Sequence, residues 1–527
     1  MAAKTGLAKY IIVLTTVTAA IMELLDTTIV NVALNQMAGS LGATIEDIAW
    51  VITSYAIANV IIIPMTGFLG EYFGRKTYYL TSMIIFGVAS YFCGASHGLW
   101  ELVFWRFIQG IGGGALLSTS QAILFDAFEP KDRGIASGLF GMGIVLGPTL
   151  GPVLGGYILD TYEWSQIFYV NIPICLIATV LTVIFIDRKE GEGERKKEIK
   201  IDYLGIGLLT MGIGSLQYVL EKGESEDWFQ SREIVIVSTM AFVGIVGFIW
   251  QELTTEYPAV NLGVFKYKVF AFSTIFTLVA GLGLFTSSFV YPVLVQRVNG
   301  FTPYEAGASL IAPTMFAVVL FPIMGKRMSA GAPPLPYMFV GICVFIFFGF
   351  YSGTATPDMG RWDFFPMQVC RTVGIALLQL PLINQAVAGL KPKEYPAGIA
   401  LTNMIRQLGG AFGIALANNF ALNRAAQHRS DLMANMTAEN PLFTQRISGL
   451  ASNIIAKTGD AFNATTIAYK QLDAAVSRQA YYLAYLDTFR LIGVFFICII
   501  PFLYFLRTPK VTAKEAAEMA KATAESH

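Results

Sequence analysis

The feature that most constrains this chain is a succession of fourteen long apolar segments separated by Gly, Pro or charged residues. They cover 9–34, 47–69, 77–96, 99–124, 134–158, 166–187, 203–221, 233–253, 269–292, 304–324, 336–356, 364–389, 398–422 and 488–507. An α-helix needs roughly 20 apolar residues to cross the hydrocarbon core of a bilayer, whereas a barrel strand needs about half as many. Segments of this length therefore read as spanning helices. Only 14% of the residues are Asp, Glu, Lys or Arg, against about 25% in an ordinary soluble domain, so a soluble globule is excluded. The expectation is an all-α integral membrane protein. The first segment does not read as a cleaved signal peptide: its apolar run is too long, it lacks a small-residue cleavage pattern, and it carries Glu23 and Asp26.

The formal charge is zero, so no basic excess points to nucleic acid. Its distribution carries more information. Lys and Arg in short loops are retained on the cytoplasmic side. Alternate loops, beginning with the N-terminus, hold Lys4, Lys9, Arg75, Lys76, Lys131, Arg133, the 188–200 cluster, Lys266, Lys268, Lys326, Arg327, Lys391 and Lys393. The opposite short loops hold Lys222, Arg232, Arg297 and Arg361. Both termini are thus expected inside, as an even number of spans requires. Two connections stand out. The charged segment 188–202 has the composition of a hinge between two bundles. The outside segment 423–487 is helix-forming with few long apolar runs, which fits either a decorated loop or a docking surface.

Several chemistries are excluded. The five cysteines are odd in number, lie in apolar stretches and show no CxxC pair, so neither a disulfide framework nor a zinc site is supported. Gly110 to Ala115 matches GxGxxA, but lies inside a span without the preceding strand that a dinucleotide site needs. Small residues there read as helix packing. Gly70 to Thr77 is a near miss to a phosphate-binding loop. The three histidines, His97, His428 and His527, stand at or beyond span ends, so a buried imidazole relay is not expected. No nucleophile, base and orienting group recur together on a loop, so no enzyme is expected. Uphill movement would draw on an ion gradient or a partner, with no cofactor.

Ionisable side chains inside a bilayer are costly, and each marks a functional position by default. Here they are Glu23 and Asp26 in the first span, Arg106 in the fourth, Arg371 in the twelfth and Arg406 in the thirteenth. Glu23 and Asp26 stand at i, i+3 and share one helix face. Two close carboxyls in a low dielectric resist ionising together, which suits a proton carrier. The alternative is an ion pair with Arg106 that only holds spans together, and both readings can hold at once. Arg371 and Arg406 would favour anionic substrates if they faced a cavity. Arg406, between Asn403 and a run of packing glycines, is assigned a structural role, and Arg371 stays open. Asn31, Gln109, Gln379 and Asn403 are further candidates for cavity or packing positions.

The fifth span sets Gly143, Gly147, Gly151 and Gly155 at four-residue intervals, with Pro148 and Pro152 at the same interval. The glycines form one smooth face, and the prolines bend the helix. Such a face serves tight packing or a sliding contact between bundles.

The segment Gly67 to Lys76, with Gly67, Gly74, Arg75 and Lys76 in place, resembles the signature loop of the major facilitator superfamily, with Glu71 where the pattern usually has Asp. Leu102 to Ala115, containing Arg106, Gln109 and Gly110, resembles that family's fourth-span motif. Gly147 to Gly156 is similar to the fifth-span motif of its proton-driven exporters, and Leu25 to Leu34 to the first-span motif of its fourteen-helix drug:proton antiporters. Weaker echoes lie at 164–173, 202–205 and 403–413. The resemblance implies two six-helix bundles around a midplane cavity, with spans 7 and 8 (203–253) inserted. The units would be 1–187, the linker 188–202, the inserted pair, 269–507 including the periplasmic 423–487, and a tail 508–527. It further implies proton transfer at Asp26 beside Arg106, and a cytoplasmic latch at Gly67 to Lys76 whose geometry Glu71 alters.

The function implied is proton-coupled export of hydrophobic or amphipathic toxic compounds across a bacterial inner membrane. The long outside segment adds an expected periplasmic adaptor of the EmrA type and an outer-membrane channel of the TolC type. Two alternatives stand beside it. One is a dedicated exporter of an endogenous amphiphile such as a fatty acid, a bile-salt-like compound or a siderophore. The other is a non-transporting membrane scaffold, against which the buried carboxyls argue.

Overall fold

The computed structural model describes residues 6–187, 201–385, 387, 389–434 and 436–506. The linker expected at 188–202 lies outside these residues except for Ile201 and Asp202, and the tail 508–527 lies outside them entirely. Among the described residues all regular structure is helical. The helices are α1 (Gly6–Leu41), α2 (Ile45–Ile48), α3 (Trp50–Phe73), α4 (Arg75–Gly94), α5 (Leu99–Ala127), α6 (Arg133–Thr161), α7 (Gln166–Tyr169), α8 (Asn171–Phe185) and α9 (Tyr203–Lys222). They continue as α10 (Arg232–Thr254), α11 (Lys268–Arg297), α12 (Pro303–Ser329), α13 (Pro334–Ser352), α14 (Phe365–Gln385), α15 (Tyr395–Met433), α16 (Pro441–Thr458) and α17 (Ala464–Ile499).

The expected spans fall on these helices, with 47–69 divided between α2 and α3 and 166–187 between α7 and α8, and twelve helical segments are long and apolar enough to cross a membrane. The expected third and fourth spans, α4 and α5, are helices of 20 and 29 residues that fall short of that apolarity. The reason is visible in their sequences: α5 carries Glu101, Arg106, Gln109, Gln121 and a Gly-Ser-rich middle, nearly all of it buried against other helices. A helix shielded by protein need not be apolar all round.

The helices pack as two groups with the same internal pattern. In the first, α1 meets α5 and α6, α3 and α4 meet α5, and α4 meets α8. In the second, α11 meets α14 and α15, α12 and α13 meet α14, and α13 meets α17. The helix pair α9 and α10 closes on itself where Gly212 and Gly244 bring the two backbones together. It leans on α3 and α15, where Ile63, Leu209, Phe248, Leu401 and Met404 share one apolar cluster. Large apolar side chains such as Leu176, Phe242 and Trp250 face outward, as a lipid-facing surface requires.

Segment 423–487, expected to be helix-forming, is largely helical: α15 runs on to Met433, α16 follows, and α17 begins at Ala464. Polar helix-forming residues there lowered hydropathy without ending helix propensity. The resemblance implies a roomy midplane cavity, whereas the pocket on the seam is small. The pocket on the seam between α6, α11 and α14 has a volume of ≈ 10 Å³, room for about one water and far below the 300–1,000 Å³ of a drug site.

Candidate functional site

The centre of the first group is a polar cluster sealed inside apolar helices. Asp26 on α1 and Arg106 on α5 form an ion pair, Nη1 to Oδ2 2.6 Å, with both side chains at most 1% exposed. Gln109 and Asn171 donate to the other carboxylate oxygen at 3.0 and 2.8 Å. Arg106 also donates to the Val51 carbonyl and to Gln109 Oε1, and stacks over the Tyr55 ring at 4.2 Å. Gln109 in turn donates to Ser90 at 2.8 Å. Breaking such a pair by removing one partner leaves an uncompensated buried charge. The pair is hydrogen-bonded on both sides, Asp26 by Gln109 and Asn171 and Arg106 to Gln109 and the Val51 carbonyl.

Glu23 stands one turn before Asp26, but its surroundings differ. It accepts one hydrogen bond, from Asn59 Nδ2 at 3.1 Å, and its second oxygen is buried without a partner. The charge that faces it from the second group is Arg406 on α15, which acts on it electrostatically without an ion-pair contact. Arg406 donates to Asn403 at 2.7 Å, and Asn403 crosses the seam to donate to Ser118 and Gln121 at 3.0 and 3.2 Å. Arg371 on α14 lies on the seam with Thr149 and Ser288, and donates to Ser288 at 2.9 Å. Gln379 is buried with its amide nitrogen unpartnered, and Asn31 is exposed, away from this cluster.

The glycine row of α6 faces its own group. Residues Gly143, Gly147, Gly151 and Gly155 meet Val17, Ile21, Leu24, Thr28 and Ile29 of α1, holding the helix that carries both carboxyls close to α6. Close contact between the groups falls on the neighbouring face, where Gly134, Gly138, Gly141 and Gly156 meet Gly325, Ser329, Phe321 and Tyr304 of α12. Pro148 lines the seam pocket, and Pro152 lies against Gly307 of α12. The four-residue interval revealed the packed face; the second face has irregular spacing and was not legible.

In the Gly67 to Lys76 segment, Gly67 lies against Pro396 and Ala397 of α15, so a side chain there would strike backbone of the other group. Gly74 takes φ 83°, a left-handed conformation that glycine adopts without strain. Arg75 pairs with Asp126, Lys76 donates to the Val183 carbonyl at 2.7 Å, and Glu71 is exposed. Cross-seam hydrogen bonds among the described residues lie at this end and at mid depth: Ser137 to Asn384 at 2.7 Å, the Ile135 amide to Ser329 at 3.1 Å, and Thr149 with Thr314 at 3.3 Å.

Reading ionisable residues alone missed Asn59, Asn171, Ser90, Tyr55 and Ser288. The amides and hydroxyls carried the same signal in weaker form, since a polar side chain in an apolar span also needs a partner.

Comparison with known proteins gives a consistent result. The profile of the Major Facilitator Superfamily matches residues 16–414. The chain is 35% identical over 427 residues to the multidrug export protein EmrB of Escherichia coli K12, covering 80% of this chain and 82% of that protein. It is 30% identical over 503 residues to the fatty acid resistance protein FarB of Neisseria gonorrhoeae, covering 93% and 94%. Among solved structures it resembles the human organic anion transporter MFSD10 at TM-score 0.57 and 12% identity, covering 95% of this chain and 99% of that one. It also resembles the proton:xylose symporter XylE at TM-score 0.56 and 14% identity, covering 94% and 97%. At these identities the two structures speak to the fold alone.

Proposed function

This chain belongs to the Major Facilitator Superfamily, a family of transporters and not enzymes, and on that premise we propose that it is a proton-coupled exporter of hydrophobic and amphipathic compounds. The observation that carries this reading is the Asp26–Arg106 pair: a carboxylate at membrane depth, bonded on both oxygens, on the helix clamped against the glycine face of α6. Protonation of Asp26 releases Arg106, and Arg106 is anchored to the α3 backbone at Val51, so the change reaches the helix that meets α15. A proton moving down about 100 mV supplies roughly 2.3 kcal/mol.

The proposed architecture has fourteen spans: bundles 1–187 and 269–507, with 203–253 inserted and both termini cytoplasmic. Transport then rocks one bundle against the other. The cross-seam bonds near the basic loops support the reading of a state closed on the cytoplasmic side, with Gly67 to Lys76 proposed as its latch. The helices of 423–487 support a periplasmic docking role for an EmrA-type adaptor and a TolC-type channel. EmrB and FarB are similar over most of the chain, and their printed names support export of drugs or fatty acids.

The test is ethidium efflux from proteoliposomes under an imposed proton gradient. Wild type is expected to follow the gradient, and Asp26→Asn to insert normally but lose the coupled efflux. Full active efflux by Asp26→Asn removes this carboxyl from the mechanism. A second reading, a dedicated exporter of an endogenous anionic amphiphile, is favoured by one observation, the uncompensated Arg371 in the seam.

A further inference from the structure

The two helix groups repeat each other, and the repeat is broken at one pair of residues. In the first group, the fourth helix α5 carries Arg106 and the first helix α1 carries Asp26, its ion partner. In the second group, the fourth helix α14 carries Arg371, and the first helix α11 meets it with Ser288. Asp26 and Ser288 are thus the polar groups that the first helix of each group presents to the arginine of its fourth helix. The position that holds a carboxylate in one half therefore holds a hydroxyl in the other.

The consequence is a buried cation without its anion. The Arg371 side chain is 4% exposed, Ser288 is its single hydrogen-bond partner, and no carboxylate of the described residues lies within ion-pair distance. Its Nε is buried without a partner. Its surroundings on the seam are Thr149 and Pro148 from the first group, Ser288 and Leu284 from α11, and Thr372 and Ile375 beside it. Arg106, by contrast, spends its donors on Asp26, Gln109 and the Val51 carbonyl. An uncompensated guanidinium at membrane depth is costly, and its planar fork matches a carboxylate in two-point geometry.

We propose that Arg371 and Ser288 form the headgroup subsite for a substrate that is a single-chain amphiphile bearing a carboxylate, which takes the place that Asp26 occupies in the first half. The hydroxyls of Thr149 and Thr372 border the headgroup, and Val145, Leu284 and Ile375 begin the apolar path for the chain. The ≈ 10 Å³ of the pocket in this state admits the headgroup only when the two groups part, so binding the anion and opening the seam are linked. This rests on the export reading above and names its substrate class.

The test uses equilibrium binding without a gradient, so that its failure is separate from failure of proton coupling. Purified full-length protein in nanodiscs of zwitterionic lipid is titrated with laurate and, separately, with dodecyltrimethylammonium. Wild type is expected to prefer laurate by about tenfold or more, a difference of about 1.4 kcal/mol. Arg371→Gln is expected to erase the preference. Ser288→Asp, which installs the carboxylate of the first half beside Arg371, is expected to erase it as well while raising or keeping the melting temperature, so the test survives if Arg371→Gln fails to fold. A preference for laurate that persists in Ser288→Asp, or its absence in wild type, overturns the proposal. Loss of laurate binding in nanodiscs containing phosphatidylglycerol assigns the subsite to a lipid headgroup and overturns the substrate reading; unchanged binding supports it.

Discussion

At the scale of single residues, the chemistry turns on which buried charges are compensated. Asp26 and Arg106 satisfy each other and recruit Gln109 and Asn171. Truncating Arg106 alone therefore strands a carboxylate. Arg106→Leu should destabilise the protein by about 3–5 kcal/mol, and adding Asp26→Asn should restore part of that loss, as thermal unfolding in detergent will report; equal instability of the single and double variants contradicts the pairing. Asn403 is a second single-residue tie, donating across the seam to Ser118 and Gln121. Asn403→Ala should cost about 1–3 kcal/mol by leaving those groups unsatisfied. Ionisable residues in apolar spans were legible from sequence because the bilayer makes each of them costly. Their partners were less so: Asn171 and Asn59 are neutral, and which helix meets which is a tertiary fact. Asn31, named from its motif, is exposed and joins no cluster.

Among the helices, small residues decide how closely α6 approaches its neighbours. A Cβ on Gly138 would lie 2.7 Å from the Phe321 carbonyl oxygen of α12, below any tolerable contact. Gly70, within the latch segment, has open space instead. Gly138→Ala should lower stability by about 1–3 kcal/mol, whereas Gly70→Ala should be neutral or stabilising by up to about 1 kcal/mol through helix propensity. Melting temperatures of the two variants check this, and the reverse order would refute the packing argument. The helical extension at 423–487 has its own order. Asp487 of α17 accepts from Arg424 and His428 of α15, Arg429 pairs with Asp473, and Ala451, Ile454, Ala464 and Ala468 make a small core. Replacing 436–462 by a short linker should impair resistance in cells more than transport in vesicles, and equal losses in both assays count against a docking role. The long apolar segments read from hydropathy fall on helices. The 423–487 segment reads as helix-forming, but its division among α15, α16 and α17 was not legible, because a polar helix that packs on another helix leaves no apolar run to find.

For the molecule as a whole, the proposed rocking of one group against the other makes the seam the moving part. Its bonds near the basic loops, Ser137 to Asn384 and Asn403 to Ser118, must break for the cytoplasmic side to open. The cavity is expected from the family resemblance, and the seam pocket bordered by Arg371 is small in this structure. The two-group plan is expected from the family resemblance; the shared internal pattern of the groups, and with it the correspondence of Ser288 to Asp26, required coordinates. Cysteines at 137 and 384 should cross-link under mild oxidation and stop transport, with reductant restoring it; transport at full rate by the cross-linked protein contradicts rocking at this seam.

The central claim, that export is exchanged for protons at Asp26, is tested most directly by reading the protons themselves. Proteoliposomes loaded with a pH-sensitive dye and set at equal pH on both sides are given a pulse of exported substrate on one side. The account predicts that substrate movement drives protons the opposite way in wild type, and that Asp26→Asn shows no such proton movement. Substrate movement in wild type with no change in internal pH, or proton counterflow that survives in Asp26→Asn, would contradict it.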